Sequence, residues 1–112
     1  MAQLRLRFAV KGGKTTTRIG KAKDNLTIDF INDGNQWMTL TFDKDIFLDK
    51  KGKPLHRMHV GKRFGWATPP VPPYGGKVSL TVNPTTPLDT EVKYTAQIGT
   101  SVPEDPIIII ER

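Results

Sequence analysis

The stretch that decides the fold is Leu26-Thr27-Ile28-Asp29-Phe30-Ile31-Asn32-Asp33-Gly34-Asn35-Gln36-Trp37-Met38-Thr39-Leu40-Thr41-Phe42. Leu26, Ile28 and Phe30 alternate with Thr27 and Asp29, and Met38, Leu40 and Phe42 alternate with Trp37, Thr39 and Thr41. Successive side chains of a strand point to opposite faces, so each run places an apolar row on one face and a polar row on the other. Asp33-Gly34-Asn35 between them carries turn chemistry, and the two runs are expected to pair as a hairpin.

The same period extends outward in both directions. Leu4, Leu6, Phe8 and Val10 share one face, with Arg5 and Arg7 on the other. Gly12-Gly13 turns the chain, and Thr15–Ile19 is β-branched enough for a shorter strand. Ile46-Phe47-Leu48 leads into the turn Lys50–Lys53, followed by a strand over Leu55–Val60 and a Pro/Gly-rich connection over Gly61–Gly76. Alternation resumes at Val78, Leu80 and Val82, and again at Val92, Tyr94, Ala96 and Ile98. The unbroken run Ile107–Ile110 predicts a central strand covered on both faces. No window shows a cleaner helical period. Residues 1–112 are therefore expected to form one all-β domain, a Greek-key β-sandwich of about eight strands.

Two segments resemble cupredoxin-like domains. Asn25–Asp33 followed by Met38–Asp43 is similar to that family's central hairpin, where a strand ending in Phe-x-Asn precedes one ending in Thr-x-Thr-Phe. Tyr94–Ile98 followed by Asp105–Ile110 is similar to its last hairpin. An immunoglobulin-like sandwich accounts for much of the same patterning. The resemblance implies copper, and the residues contradict that implication. A blue-copper site needs a thiolate with two imidazoles, and this chain has no cysteine. Gln36 and Trp37 stand where the resemblance implies the first histidine, and the final loop, Gly99–Pro106, has no Cys, His or Met. The implied relative is copper-free.

Other chemistries are also short of parts. The absence of cysteine removes disulfides, thiolate metal sites and thiol nucleophiles. Ser79 and Ser101 are the only serines and lie in no nucleophile-elbow context. Glycine fingerprints for phosphate or dinucleotide binding are missing. His56, Met58 and His59 are the one candidate metal set, but a spacing of three puts the two histidines on opposite faces of a strand. Asp43, Asp45 and Asp49 gather around one turn without the spacing of a calcium-binding loop. We expect no enzyme activity and no cofactor. The N-terminus alternates apolar and charged residues, and no run reaches transmembrane length, so a cytoplasmic protein or a mature form lacking its targeting signal is expected, without membrane insertion.

Charge is laid out in blocks. Residues 1–23 hold seven basic residues and no acid, 24–49 six Asp against one Lys, 50–88 seven basic residues and no acid, and 89–112 five acids against two bases. Opposite blocks pairing as neighbouring strands would be complementary across the sheet. Basic blocks sharing a face would instead attract a polyanion. Lys62-Arg63-Phe64-Gly65-Trp66 mixes cations with aromatics, as single-stranded nucleic acid requires. Pro69-Pro70-Val71-Pro72-Pro73-Tyr74 is stiffened toward polyproline II and serves either as a groove-binding ligand or as a crossover with Tyr74 packed on the end of the sandwich. The expected function is a non-enzymatic binding or structural module acting through protein–protein contacts. Its candidate contact residues are Lys62, Arg63, Phe64, Trp66, Pro70, Pro72, Pro73 and Tyr74. The alternative is a polyanion- or nucleic-acid-binding domain using the basic segments, and homo-oligomer formation is left open.

Overall fold

Ten strands form among the described residues, most of them driven by alternating apolar residues. The computed structural model describes residues 3–9, 16–19, 26–87, 89–101 and 103–110. Its strands are β1 (Gln3–Phe8), β2 (Thr16–Ile19), β3 (Thr27–Asn32), β4 (Met38–Phe42), β5 (Phe47–Leu48), β6 (His56–Val60), β7 (Arg63–Ala67), β8 (Gly76–Val82), β9 (Glu91–Ile98) and β10 (Ile107–Ile110). One sheet has the order β1-β3-β8-β5 and the other β2-β10-β9-β4-β7-β6. The two pack into an all-β sandwich. No helix occurs among the described residues, hence none long and apolar enough to cross a membrane.

The apolar rows meet between the sheets. Ile28, Phe30 and Leu80 from one side close on Leu40, Phe42, Tyr94 and Ile108 from the other, all buried. Phe30 lies at the centre of an aromatic cluster, with ring centroids 5.6 Å from Phe42, 5.8 Å from Tyr94 and 6.2 Å from Phe47. Burial pushes the Tyr94 hydroxyl far above its ordinary pKa, so it stays neutral.

Three expectations need correction. The runs around Asp33-Gly34-Asn35 do not form a hairpin. β3 pairs with β1 and β8, whereas β4 pairs with β9 and β7 in the opposite sheet. The buried Asn32 side chain causes the crossing. Its Oδ1 accepts the Gly34 N–H at 2.9 Å, and its Nδ2 donates to the carbonyls of Gln36 at 2.8 Å and Val71 at 3.1 Å. The chain is thereby coiled into a corner, and the two apolar rows face each other across the core instead of lying side by side.

Secondly, the Gly61–Gly76 connection contains β7, which is held by strand pairing on both sides and whose apolar row is only Phe64 and Trp66. Thirdly, β10 does lie between β2 and β9, but it is covered on one face only: Ile108 and Ile110 are buried while Ile107 and Ile109 are half-exposed. The Gly12-Gly13 turn and Val10 fall outside the described residues.

Part of the charge alternation is spent internally. Arg5 stands opposite Asp29 in the parallel β1–β3 register. The buried Asp29 accepts from Ser79 Oγ at 2.6 Å and has Lys77 Nζ at 3.6 Å. Arg7 pairs with Asp33 at 3.0 Å. The first basic block is therefore complementary to the acidic block across neighbouring strands.

Candidate functional site

The β6–β7 hairpin projects from the sandwich. Its five register pairs run from His56↔Ala67 to Val60↔Arg63. Only Trp66 and Ala67 of β7 pair with β4, at Phe42 and Thr41, so the rest of the hairpin extends past the end of β4. Gly61 and Lys62 make the turn, with Gly61 at φ +64°. A positive φ at the first of two central residues is the type II′ pattern, which matches strand twist and favours glycine there. Every residue of β6 is exposed.

Alternation gives the hairpin two different faces. Arg57, His59 and Phe64 share one. The Arg57 guanidinium carbon lies 4.6 Å from the Phe64 ring centroid, and the His59 ring lies 4.8 Å away. This cation–aromatic stack holds the face in place although it is solvated. Met58, Val60 and Arg63 share the other face, and Met58, Val60 and Phe64 are 40%, 49% and 47% exposed. Three large apolar groups on one short projection exceed what scattered surface hydrophobics explain.

The second face overlooks a groove of about 350 Å³, floored by Thr41, Thr95 and Ile107. Gly65 permits the close approach: a Cβ there would lie 2.8 Å from both Thr41 Cγ2 and Val60 Cγ2. The rim carboxylates already have partners. Asp43 accepts the Lys93 N–H at 3.0 Å, and Asp105 accepts from Thr95 Oγ1 at 3.3 Å.

A basic turn continues the hairpin toward β5. Asp49 Oδ1 accepts the Lys51 N–H at 2.8 Å and the Lys53 N–H at 3.0 Å. These amides, Lys53 first, hold the Asp49 carboxyl below the usual carboxylate range. A depressed carboxyl supports the turn above its unfolded value of 3.8, and that support is lost as pH falls through the lower folded value. In an NMR titration the Lys51 and Lys53 amides are expected to shift together with a midpoint below 3.8. A midpoint at or above it would show that the turn does not hold the carboxylate. Residues 50–63 thus form an acid-free border with six Lys or Arg and two His.

The proline segment belongs to a different region. Val71 is buried and bridges Met38 through bonds of 2.9 and 2.7 Å. Met38 and Phe42 are the two ends of β4, so the proline loop and the hairpin are separated by about 13 Å of strand. Lys62, Arg63 and Phe64 therefore do not share a surface with Pro70, Pro72, Pro73 and Tyr74. Trp66 is half-buried beside Phe42, its register partner on β4, and Tyr74 is 79% exposed rather than packed on the sandwich end. The loop is a stapled crossover: Tyr74 N–H donates to Gly34 O at 3.0 Å and Gly75 N–H to Asn32 O at 2.8 Å.

His56 and His59 lie on opposite faces of β6, as their spacing requires. Among the described residues no three His, Asp or Glu side chains converge as metal ligands. Arg57 and Val60, which sequence patterning does not single out, join the candidate site as contact residues, together with Met58 and His59 of the metal candidate set. Val60-Gly61-Lys62-Arg63, a glycine-led two-residue turn, is the signal that locates them. No family model matches the chain, and no curated protein or solved structure matches it either.

Proposed function

We propose that this chain is a non-enzymatic binding module that acts through protein–protein contacts, with the β6–β7 hairpin as its contact surface. The observation that carries this reading is the exposure of Met58, Val60 and Phe64 on a hairpin that extends beyond the sandwich. Apolar side chains held out in water contribute most when a partner removes them from it, at about 25 cal/mol per Å² buried. Their rigid mounting lowers the ordering cost of association. The sandwich is read as a copper-free, cupredoxin-like or immunoglobulin-like scaffold. Support comes from the true β9–β10 hairpin and from the Phe30-x-Asn32 strand end.

The test is capture from an extract of the source cells. The immobilised chain is compared with a variant carrying Met58→Ser, Val60→Ser and Phe64→Ser. These residues are outside the buried core, so the variant is expected to keep the parent's unfolding midpoint. Captured proteins are expected to fall at least about tenfold, the equivalent of ~1.4 kcal/mol. Undiminished capture by a folded variant would rule out the hairpin as the contact surface.

A further inference from the structure

We infer that β6 is an acceptor edge for an acidic, extended peptide segment, which adds to the six-stranded sheet as a further strand. This rests on the hairpin being the contact surface and names the chemistry of its partner.

The backbone supplies the first argument. In a hairpin closed by two residues, the flanking pair Val60–Arg63 exchanges backbone hydrogen bonds, and alternate pairs do so from there. His56, Met58 and Val60 therefore direct their N–H and C=O groups to β7. Arg57 and His59 direct theirs away from it. The far side of β7 shows the same phase, since Thr68 N–H donates to Leu40 O at 3.3 Å. Among the described residues β6 has a strand on one side only. An extended peptide can use those outward donors and acceptors, as in β-strand addition.

Charge selects the occupant. Lys50, Lys51, Lys53, Arg57, Lys62 and Arg63 are all exposed along this border, with no acid among residues 50–63. A second copy pairing β6 to β6 would bring these cations against their own counterparts, and like charges facing across strands destabilise the pair. An acidic strand has the complementary sign. Single-stranded nucleic acid is a poorer match, because it needs open aromatic faces beside the cations. Phe64 is occupied by Arg57 and His59, and the exposed Trp37 and Tyr74 lie at the far end of β4.

The experiment titrates the full ¹⁵N-labelled chain with a short synthetic peptide alternating glutamate and valine. The largest amide shifts are expected at Arg57 and His59, with slowed hydrogen exchange there. His59→Pro removes one outward N–H without touching a β6–β7 bond and is expected to weaken binding about tenfold or more. The double variant Arg57→Glu, Lys62→Glu is expected to do the same while keeping the backbone edge intact. A peptide with lysine in place of glutamate should not bind. Strand addition is overturned if β6 signals do not move, if folded His59→Pro binds like the parent, or if oligodeoxythymidylate reproduces the shifts with equal affinity. If the serine triple variant loses capture while the acidic peptide leaves β6 unmoved, strand addition fails and the contact surface stands. If the serine variant captures normally, the contact surface itself fails.

Discussion

Replacing Phe30 by alanine is expected to cost about 4 kcal/mol of stability, a large part of what a domain this size holds. Phe30 is fully buried on β3, and its ring centroid lies within 6.4 Å of those of Phe8, Phe42, Phe47 and Tyr94. Those partners come from β1 and β5 in its own sheet and β4 and β9 in the opposite one. Truncation would therefore open a void between the sheets, where neighbours held by strand pairing have little freedom to collapse. The edge-to-face contacts with Phe42, Phe47 and Tyr94 are lost as well. Urea unfolding checks this through a lowered midpoint at unchanged slope. Phe30→Leu, which keeps most of the volume, is expected to cost clearly less. A loss below about 1 kcal/mol for alanine would mean that the core relaxes around the gap.

Asn32→Leu is expected to cost about 3 kcal/mol without opening any comparable void. The substitution removes three hydrogen bonds: the Gly34 N–H loses its acceptor and the Gln36 carbonyl its donor, while the Val71 carbonyl keeps only the Met38 N–H. Each lost hydrogen bond costs about 1 kcal/mol, and more at the buried Gly34, whose N–H is left unpaired. Asn32→Asp is expected to separate the two ends of the side chain. Its oxygen can still accept from Gly34, but the second oxygen would face two carbonyls in a buried position. Burial and those carbonyls would raise the carboxyl above its unfolded value, so the penalty is small in acid and grows as pH rises past about 4. A variant whose stability is flat between acid and neutral pH would contradict this account.

Strand existence was legible because burial of one sheet face imposes a period of two. The buried members Leu26, Ile28, Phe30, Met38, Leu40 and Phe42 all lie where alternation put them. Pairing was not legible in the same way. A hairpin and an inter-sheet corner show the same alternation, and the difference rests on three hydrogen bonds of Asn32, one of them to a residue far along the chain. β7 is illegible for a related reason: its apolar row is only Phe64 and Trp66, the first of them exposed, on either side of Gly65. Nearness in sequence also joined Phe64 to Tyr74, which β4 holds apart. The candidate site was half visible as cations with aromatics at 62–66. Its other half, β6, offers in the sequence only an unfavourable metal candidate, because exposure of all five side chains is a property of the projection and not of the residues.

The parallel pairing of β2 with β10 has a consequence for how the molecule assembles. Thr16 is in register with Ile107, roughly ninety residues later, and β10 stands between β2 and β9. Synthesis delivers β2 roughly ninety residues before its neighbour in the sheet, β10. Closure of that border is thus postponed until β10 has been made, and the entropy of so long a loop must be overcome before the contact is made. Fast, local zippering is available to β6–β7 and β9–β10, whereas the β2 border joins last and slowly.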